Sequence, residues 1–446
     1  MLPIQRTTFH PSYGPFPVLD KLQMEPKEGV TAFQITVSGD LHLRDTSLDP
    51  NGYGSVFSRH IFELTKKVKS KKSRIHNVYH LNGDSIGMIE SGDRKNPPFT
   101  EKGDLESLEF ELAVLEKIIS DNPAPFEALK AFIQASEDTQ LVFGEGNHCR
   151  PIFHPSASLL RAKLAERIMP DISIEEREKR ILFCKVMFSK ELDLYSEHFH
   201  RIDPFNFSKK GTNTSGDWVV VNSNAVVKNM IEALKQNITD PTILRKLISK
   251  VERMLRIRPS IAFPLYLEYE ARNLDSRNDI TDIGVIKKAQ EILRSYNHMI
   301  KEQFSRTPLF QTLQHRLPFP NLLSSFFSSK RVQNLGARLI SFFESWFSDN
   351  NKTQAKEAKR IFRENGISNT IGAHTHNADH VEFSVGDTNC HYINPGAWPA
   401  FKLMIDGKPL GSTHPSGFFT GTVNLKARKR KGNYTLQTAE TWSKRV

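Results

Sequence analysis

Residues 35–43 read Ile-Thr-Val-Ser-Gly-Asp-Leu-His-Leu, and this stretch decides the fold. Its apolar and β-branched residues predict a buried strand that ends at Gly39. Asp40 and His42 follow, so two side chains that can bind a metal stand at the strand end. Open α/β sheets bind ligands in the crevice outside the carboxyl ends of their strands. The stretch therefore predicts either a site at this edge of a sheet or a solvated polar pair.

Two later segments repeat this arrangement. A strand predicted over residues 77–81 runs into Asn82-Gly83-Asp84, and one predicted over residues 139–144 runs into Glu145-Gly146-Asn147-His148. Helical patterns follow the first two strands, as expected for parallel strands joined by helices. Turn formation alone explains Gly, Asp and Asn at one strand end. Three such ends, each with a residue that can bind a metal, favour a shared site.

Further histidines lie in two segments downstream. Residues 195–206 read Tyr-Ser-Glu-His-Phe-His-Arg-Ile-Asp-Pro-Phe-Asn, and a strand predicted over residues 367–373 runs into His374-Thr375-His376. Carboxylate, imidazole and amide donors suit Mn, Fe or Zn, whereas the lack of thiolates argues against a structural zinc centre. A carboxylate can bridge two cations about 3.5 to 4 Å apart. The candidate ligands are Asp40, His42, Asp84, Asn147, His198, His374 and His376.

The overall composition is that of an ordinary globular protein. The 446 residues carry a formal net charge of +11, which favours acidic partners such as nucleic acid, an anionic membrane or a phosphorylated substrate. No nucleic-acid recognition motif accompanies this charge, and the basic run at residues 426–432 fits a solvated hairpin turn. The three cysteines are far apart, so neither a disulfide framework nor a cysteine zinc site is predicted.

The N-terminal sequence and the lack of long apolar segments predict a cytoplasmic protein. Residues 1–22 are rich in proline and lack the apolar core of a secretory signal. No window approaches 18 uncharged apolar residues, which a membrane-spanning helix would need.

Helical patterns interrupt the predicted strands in the second half of the chain. The region from residue 225 to 363 is mostly helical in pattern, and a short strand is predicted before it at Trp218 to Val221. Its position between segments that carry candidate ligands favours an inserted cap. The predicted divisions are an N-terminal extension (1–30), a core (31–224), a helical cap (225–365) and the rest of the core (366–446).

An apolar stripe lies within this predicted cap. Apolar residues repeat at helical spacing between residues 332 and 347. They fit a helix that packs inside the cap. Because Lys330, Arg331 and Arg338 flank them, they also fit a peripheral membrane contact.

As a set, the motifs resemble those of the calcineurin-like metallophosphoesterase superfamily, in particular its large bacterial members with a helical insertion. The resemblance implies an α/β fold in which a two-sheet β-sandwich is flanked by helices and carries an inserted helical cap. The motifs are Gly39-Asp40-Leu41-His42, Gly83-Asp84, Gly146-Asn147-His148, Glu197-His198 and Gly372-Ala373-His374-Thr375-His376, with support from Tyr392-Ile393-Asn394-Pro395-Gly396.

The resemblance also implies how the ligands divide between two divalent ions (Mn, Fe or Zn). It selects His198 rather than His154, because residues 195–206 look like a Glu-His-Gly-His-x-x-Asp-Pro-x-Asn element in which Phe199 replaces the glycine. One ion is held by Asp40, His42, Asp84 and His376, and the other by Asp84, Asn147, His198 and His374.

The activity implied is hydrolysis of a phosphate ester by attack of a hydroxide that bridges the metals. His148 would protonate the leaving group or stabilise the phosphoryl group, and Arg150 or Arg201 would bind the phosphate. His200 would contact the phosphate or support a ligand, or it is a surface histidine. One alternative is a binding module that keeps the fold without activity. The other, a protein phosphatase of the same superfamily, is disfavoured by Gly87, which stands where such enzymes have a second Asp.

Overall fold

A computed structural model describes the chain as a mixed α/β protein. The residues that it describes are 15–45, 53–70, 74–89, 91–92, 105–202, 215–252, 257–258, 267, 270–271, 274, 282–305, 352–376, 379–398, 402–405, 408–412, 418–430 and 433–445.

The first half of the described chain alternates strands and helices, as the sequence predicts. Its strands are β1 (Val18–Gln23), β2 (Ala32–Ser38), β3 (Ile75–Leu81), β4 (Thr139–Gly144), β5 (Ile181–Ser189) and β6 (Leu194–Glu197). Its helices are α1 (Tyr53–Lys69), α2 (Leu105–Asp121), α3 (Pro123–Ile133), α4 (Arg150–Phe153), α5 (Ser158–Ile168) and α6 (Ile174–Arg180), and a 3₁₀ turn follows at His200–Ile202.

The second half begins with helices and ends with strands. The helices are α7 (Ser215–Asn237), α8 (Pro241–Glu252), α9 (Ile283–Ser305) and α10 (352–365). The strands are β7 (Ile257–Arg258), β8 (Asn369–Ile371), β9 (Asp379–Val385), β10 (Thr388–Asn394), β11 (Lys402–Ile405), β12 (Lys408–Ser412), β13 (Phe418–Arg430) and β14 (Asn433–Arg445).

One large mixed sheet organises the fold. Its strand order is β14-β13-β2-β3-β4-β5-β6-β8-β10-β9, and β1 pairs with β5 beside this path. Strands β2 to β5 are parallel, so the predicted parallel order of the strands before Asp40, Asp84 and Asn147 is confirmed. The strand pairs β8–β6 and β8–β10 are parallel as well. Because β5 and β6 pair antiparallel, β6, β8 and β10 run in the direction opposite to β2 to β5.

Apolar side chains cover both faces of this sheet. On one face, Phe57 of α1 and Leu129 of α3 share a buried cluster with Tyr79 of β3. On the other face, Val78 of β3 shares a cluster with Ile393 of β10. Strands from both ends of the strand order thus meet in one core, because the sheet curls over itself.

The N-terminal segment contributes to this sheet. Strand β1 pairs in parallel with β5 from Val18↔Phe183 to Gln23↔Phe188. The predicted N-terminal extension, residues 1–30, therefore includes a strand of the main sheet. At the other end of the chain, β13 and β14 pair antiparallel as far as Arg430↔Asn433, so most of the basic run lies in a strand.

The helices of the predicted cap have a core of their own. Residues such as Met230, Leu247 and Leu293 form a separate buried cluster between α7, α8 and α9. The strand predicted at Trp218 to Val221 is wrong, because these residues lie within α7. A short apolar run fits a buried helix as well as a strand, and here the helical residues on both sides decide.

Helix α10 packs on the main sheet. Its Ala358 shares a cluster with Tyr392 of β10 and Phe199. The apolar stripe between residues 332 and 347 lies outside the described residues. Among the described helices, none combines the length and the apolar composition needed to cross a membrane.

Candidate metal centre

The loops after β2 and β3 hold each other in place. The backbone N–H of His42 donates to the carbonyl oxygen of Asp84 (2.7 Å), and that of Leu43 donates to Ser85 (3.0 Å). The backbone N–H of Trp398 donates to the carbonyl oxygen of Asp40 (3.2 Å). These bonds fix Asp40, His42 and Asp84 at the carboxyl ends of two neighbouring strands.

The other predicted ligands arrive from three more strand ends. Asn147 follows β4, His198 follows β6, and His374 and His376 follow β8. β6 and β8 run antiparallel to β5, but β4 and β6 pair with successive parts of that strand. Gly144 at the end of β4 pairs with Cys184, and Glu197 at the end of β6 pairs with Val186, so the two strand ends meet beside the middle of β5. The end of β8 lies next to that of β6, where Ile371 pairs with Ser196. The structure therefore brings together all seven residues that the sequence marked as ligands.

The first group of donors surrounds Oδ1 of Asp40. This atom lies 3.3 Å from Nε2 of His376 and 3.8 Å from Nε2 of His42, and these two nitrogens are 3.2 Å apart. Nε2 of His42 is also 3.9 Å from Oδ2 of Asp84. Donor atoms bound to one cation at about 2.0 to 2.2 Å are themselves about 3.0 to 3.5 Å apart. Asp40, His42, Asp84 and His376 could thus hold one metal ion.

The second group surrounds Nε2 of His198. This nitrogen is 3.0 Å from Oδ2 of Asp84 and 3.3 Å from Oδ1 of Asn147. The amide oxygen of Asn147 is in turn 3.1 Å from Nδ1 of His374. Asp84, His198 and His374 place their donor atoms close enough to hold a metal ion, and Asn147 adds an amide oxygen to them.

Asp84 belongs to both groups. Its Oδ2 faces His198 at 3.0 Å and His42 at 3.9 Å. Its Oδ1 accepts a hydrogen bond from the backbone N–H of His148 (2.7 Å), which fixes the orientation of the carboxylate. A carboxylate held in this way can bridge two neighbouring cations.

The buried carboxylates need positive charge next to them. Asp40 and Asp84 are fully buried, and Oδ1 of Asp40 accepts no hydrogen bond from any described residue. Burial alone would raise their pKa values, but His376 beside Asp40 and His198 beside Asp84 lower both instead. Burying an unpaired charge is costly. An acceptor oxygen that faces only imidazole nitrogens fits a ligand of a cation.

His198 is oriented as a ligand. Its Nδ1 donates to the carbonyl oxygen of Asn82 (3.0 Å), so its Nε2 points at the carboxylates. Burial lowers the pKa of His198, but Asp84, Asp40 and the carbonyl oxygen of Asn82 together oppose this effect, and the pKa is raised. A histidine whose other ring nitrogen donates to a carbonyl oxygen has the orientation typical of a metal ligand.

Five of the ligands have left-handed backbone conformations. The φ angles are 46° for Asp40, 49° for His42, 43° for Asp84, 74° for His374 and 62° for His376. Such angles are uncommon for residues other than glycine, and they concentrate at functional sites where the surrounding structure enforces them. Their concentration in one cluster supports a site rather than a set of ordinary turns.

Two glycines make room for this cluster. Gly83 has φ +78°, and a Cβ there would collide with the ring of His198. A Cβ on Gly146 would collide with the carboxylate and the backbone N of Asp84. The recurrent glycine of the motifs thus serves close packing of the ligands and, at Gly83, the backbone angle.

The remaining predicted site residues lie around the ligands. The ring of His148 packs edge-on against that of His42, with centroids 4.9 Å apart. His200 is 3% exposed, and its ring lies 5.5 Å from that of His198. The surface position considered for His200 is therefore wrong. Arg150 is the first residue of α4 and is partly exposed, and His154 bonds Ser156 instead of joining the cluster.

The sequence reasoning missed the residues that hold the loop after β8. Asn394 donates through Nδ2 to the carbonyl oxygen of Ala373 (3.2 Å) and to Oγ1 of Thr375 (2.8 Å). Gln354 of α10 donates to the same carbonyl (3.2 Å). The Asn-Pro-Gly element pointed to Asn394 but not to its partners, and nothing local marked Gln354.

The chain was compared with protein-family models and with curated proteins. No family model and no curated protein matches it.

Proposed function

We propose that this protein is a phosphoesterase that depends on two divalent metal ions. The observation that carries the proposal is the position of Asp84, whose carboxylate belongs to two adjoining groups of buried donor atoms. A site for one structural ion would need neither the second group nor a shared carboxylate. Two ions that share a ligand are typical of enzymes that displace groups at phosphorus.

The fold supports the same proposal. A curled sheet with a shared core inside and helices outside is what a two-sheet β-sandwich flanked by helices would have. The ligand-bearing loops leave the carboxyl ends of its strands, where α/β proteins place their sites. We propose that the chain is a member of the calcineurin-like metallophosphoesterase superfamily on this basis, together with the motifs in its sequence.

The donor set indicates which ions fit. Imidazole nitrogen and carboxylate or amide oxygen suit Mn, Fe or Zn. Asp40, His42, Asp84 and His376 would hold one ion, and Asp84, Asn147, His198 and His374 the other. Bound ions would supply Lewis acidity, which activates water and neutralises the oxygens of a phosphate ester.

His148 is our candidate for the proton donor. Its backbone N–H is bound to Asp84, and its ring packs against the ligand His42, so it lies beside the ligands without belonging to them. We propose that it donates a proton to the leaving oxygen of the ester. A positioned acid of this kind contributes about 10² to 10⁴ in rate.

Arg150 and His200 have different parts in this proposal. Arg150 lies two residues beyond His148 and is partly exposed, and we propose that its guanidinium contacts a phosphate oxygen. His200 is buried behind His198, so we propose that it supports this ligand. Burial, followed by the nearby His198, lowers the pKa of His200 well below its ordinary value, which keeps the ring neutral.

The test is hydrolysis of p-nitrophenyl phosphate and bis(p-nitrophenyl) phosphate in the presence of Mn²⁺. We expect turnover of at least one ester, and a loss of about 10³-fold or more in Asp84→Asn, because the shared ligand is removed. Asp171→Asn is the matched control, since Asp171 is exposed and also has a positive φ (63°). The variant at Asp171 should keep full activity.

The alternatives give different results in the same assay. A chain that binds two equivalents of Mn²⁺ but cleaves neither ester would contradict the proposal and favour a binding module. Cleavage of phosphopeptides in preference to both synthetic esters would favour a protein phosphatase.

A further inference from the structure

A third group of side chains that could hold a metal ion lies on strands β9 and β10. It consists of His380 and Glu382 on β9 and His391 on β10, and we call it the edge cluster. Among the described strands, β9 is the outermost at this end of the main sheet. The edge cluster shares no residue with the candidate centre.

Cross-strand pairing brings the three side chains to one face. Glu382 lies directly opposite His391, and His380 lies opposite Ile393, two residues further along β10. Residues two apart on a strand point to the same side, and directly opposite pairs have Cβ atoms about 4.5 to 5.5 Å apart. The three side chains therefore converge without any change in the backbone.

The donor atoms already have the spacing of metal ligands. Nε2 of His380 is 3.1 Å from Nδ1 of His391, and Oε1 of Glu382 is 3.9 Å from each of these nitrogens. The two rings are tilted by 37° with centroids 5.3 Å apart. Ligands of one tetrahedral ion, bound at about 2.0 to 2.2 Å, need only small side-chain adjustments from these distances.

Solvent reaches the cluster. The exposed fractions of the side chains are 50% for His380, 62% for Glu382 and 27% for His391. An ion can therefore enter without local unfolding. The position is also well anchored, because β9 and β10 pair over seven residues from Asp379↔Asn394 to Val385↔Thr388.

We propose that the edge cluster binds one divalent transition-metal ion, with Zn²⁺ as the representative, through two imidazoles and one carboxylate. A His₂Glu set suits zinc, and it leaves the fourth position to water. Calcium and magnesium are disfavoured because they prefer oxygen donors. The bound ion ties the outermost strand β9 to β10.

The proposal is independent of the phosphoesterase function, and the experiment separates the two. Full-length protein is titrated with Zn²⁺ by calorimetry, and the bound metal is counted by elemental analysis after gel filtration. In Asp84→Asn, which impairs the candidate centre, binding at the edge cluster should persist. If the unmodified protein cleaved neither ester but still bound Zn²⁺ at the edge cluster, only the phosphoesterase proposal would be contradicted.

The decisive variants are His391→Ala and His380→Ala. Each should lose one equivalent of Zn²⁺, or bind it at least about 10-fold more weakly, because one of three ligands is gone. His298→Ala is the matched control, since His298 is an exposed histidine on α9 outside any cluster in the described chain. It should bind as much Zn²⁺ as the unmodified protein.

A spectroscopic measurement identifies which side chains bind the counted ion. Cu²⁺ at one equivalent in Asp84→Asn should show electron paramagnetic resonance couplings from two imidazole nitrogens, and His391→Ala should remove one of them. Equal Zn²⁺ content in His391→Ala and the unmodified protein, with both folded by circular dichroism, would overturn the proposal.

Discussion

At the scale of single residues, the candidate centre depends on backbone conformations that most side chains avoid. Asp40, His42 and Asp84 all have φ between 43° and 49°. Each such angle costs of order 1 kcal/mol or more, so the surrounding bonds must enforce it. The hydrogen bonds from His42 to Asp84 and from Trp398 to Asp40 are part of that enforcement. The left-handed backbone angles therefore lower stability locally and orient the ligands toward the site.

Gly83→Ala tests how tightly this arrangement is packed. Gly83 has φ +78°, and an added Cβ would meet the ring of His198. Left-handed strain costs about 1 to 2 kcal/mol and overpacking about 1 to 3 kcal/mol. We expect Gly83→Ala to lower the free energy of unfolding by about 2 to 4 kcal/mol in urea titrations and to reduce the bound Mn²⁺.

Gly366→Ala is the control for this prediction. Gly366 has φ +70°, but a Cβ there would meet nothing within 4 Å. Only the backbone strain applies, so the loss should be about 1 to 2 kcal/mol, less than for Gly83→Ala, and metal content should not change. Equal effects of the two substitutions would show that the contact with His198 is unimportant.

At the scale of elements, loops are positioned by the neighbours of the strands from which they leave. The loop after β8 carries His374 and His376, and it is held by Asn394 of β10 and Gln354 of α10. Asn394 also accepts a hydrogen bond from the backbone N–H of Gly396 (2.9 Å). Two elements that carry no ligand of the candidate centre, β10 and α10, therefore fix the positions of two of its ligands, His374 and His376.

Asn394→Ala tests this support. The substitution removes the bonds to Ala373 and Thr375, so the loop that carries His374 and His376 loses its anchor. Groups that orient metal ligands typically contribute 10-fold to 100-fold in affinity. We expect Mn²⁺ affinity to fall by about that factor in calorimetric titrations. Asn389→Ala, on the exposed part of the same strand, should leave the affinity unchanged.

At the scale of the whole molecule, the candidate centre concentrates negative charge in the interior. Asp40 and Asp84 are both fully buried among histidines. Metal binding would compensate these charges in the folded state but not in the unfolded chain. The stability of the protein should therefore depend on its metal content.

Metal removal gives the corresponding prediction. At a free Mn²⁺ concentration 100 times the dissociation constant, one bound ion adds about 2.7 kcal/mol to the free energy of unfolding. We expect treatment with a chelator to lower the urea midpoint and added Mn²⁺ to restore it. In Asp84→Asn the response should be much smaller. A urea midpoint that changes neither with the chelator nor with added Mn²⁺ would contradict the candidate centre.

Buried neutral histidines make the fold sensitive to acid. Burial lowers the pKa of His80 to about 3, and burial is also the main cause that lowers the pKa values of His60 and His76 to about 4. Below pH 6.5, the ordinary pKa of histidine, these three side chains take up protons in the unfolded chain but not in the folded chain. The free energy of unfolding therefore falls as the pH falls from 6.5 toward 4.

His80→Leu measures one part of this effect. His80 lies on β3 between Val37 and Val142 of the neighbouring strands, where an apolar side chain fits. Removing its titration should reduce the loss of stability between pH 6.5 and 4.5 by about 2 kcal/mol. Urea titrations at both pH values, in a chelator, give the comparison. An equal loss in both proteins would contradict the prediction.

The local sequence determined the strands and the residues at their ends. Runs of apolar and β-branched residues located β2, β3 and β4, and Gly-Asp or Gly-Asn marked where each strand stops. These are short-range properties, because strand preference and turn formation depend on residues a few positions apart. The class of donor atoms, and hence the ions that fit, follows from the same short motifs.

Only the tertiary structure decided which distant residues meet. The anchoring of the loop after β8 by Gln354 and Asn394, the pairing of β1 with β5 and the convergence of His380 with His391 all depend on long-range strand pairing. Such outcomes depend on contacts between segments far apart in the chain, and no local pattern encodes those contacts.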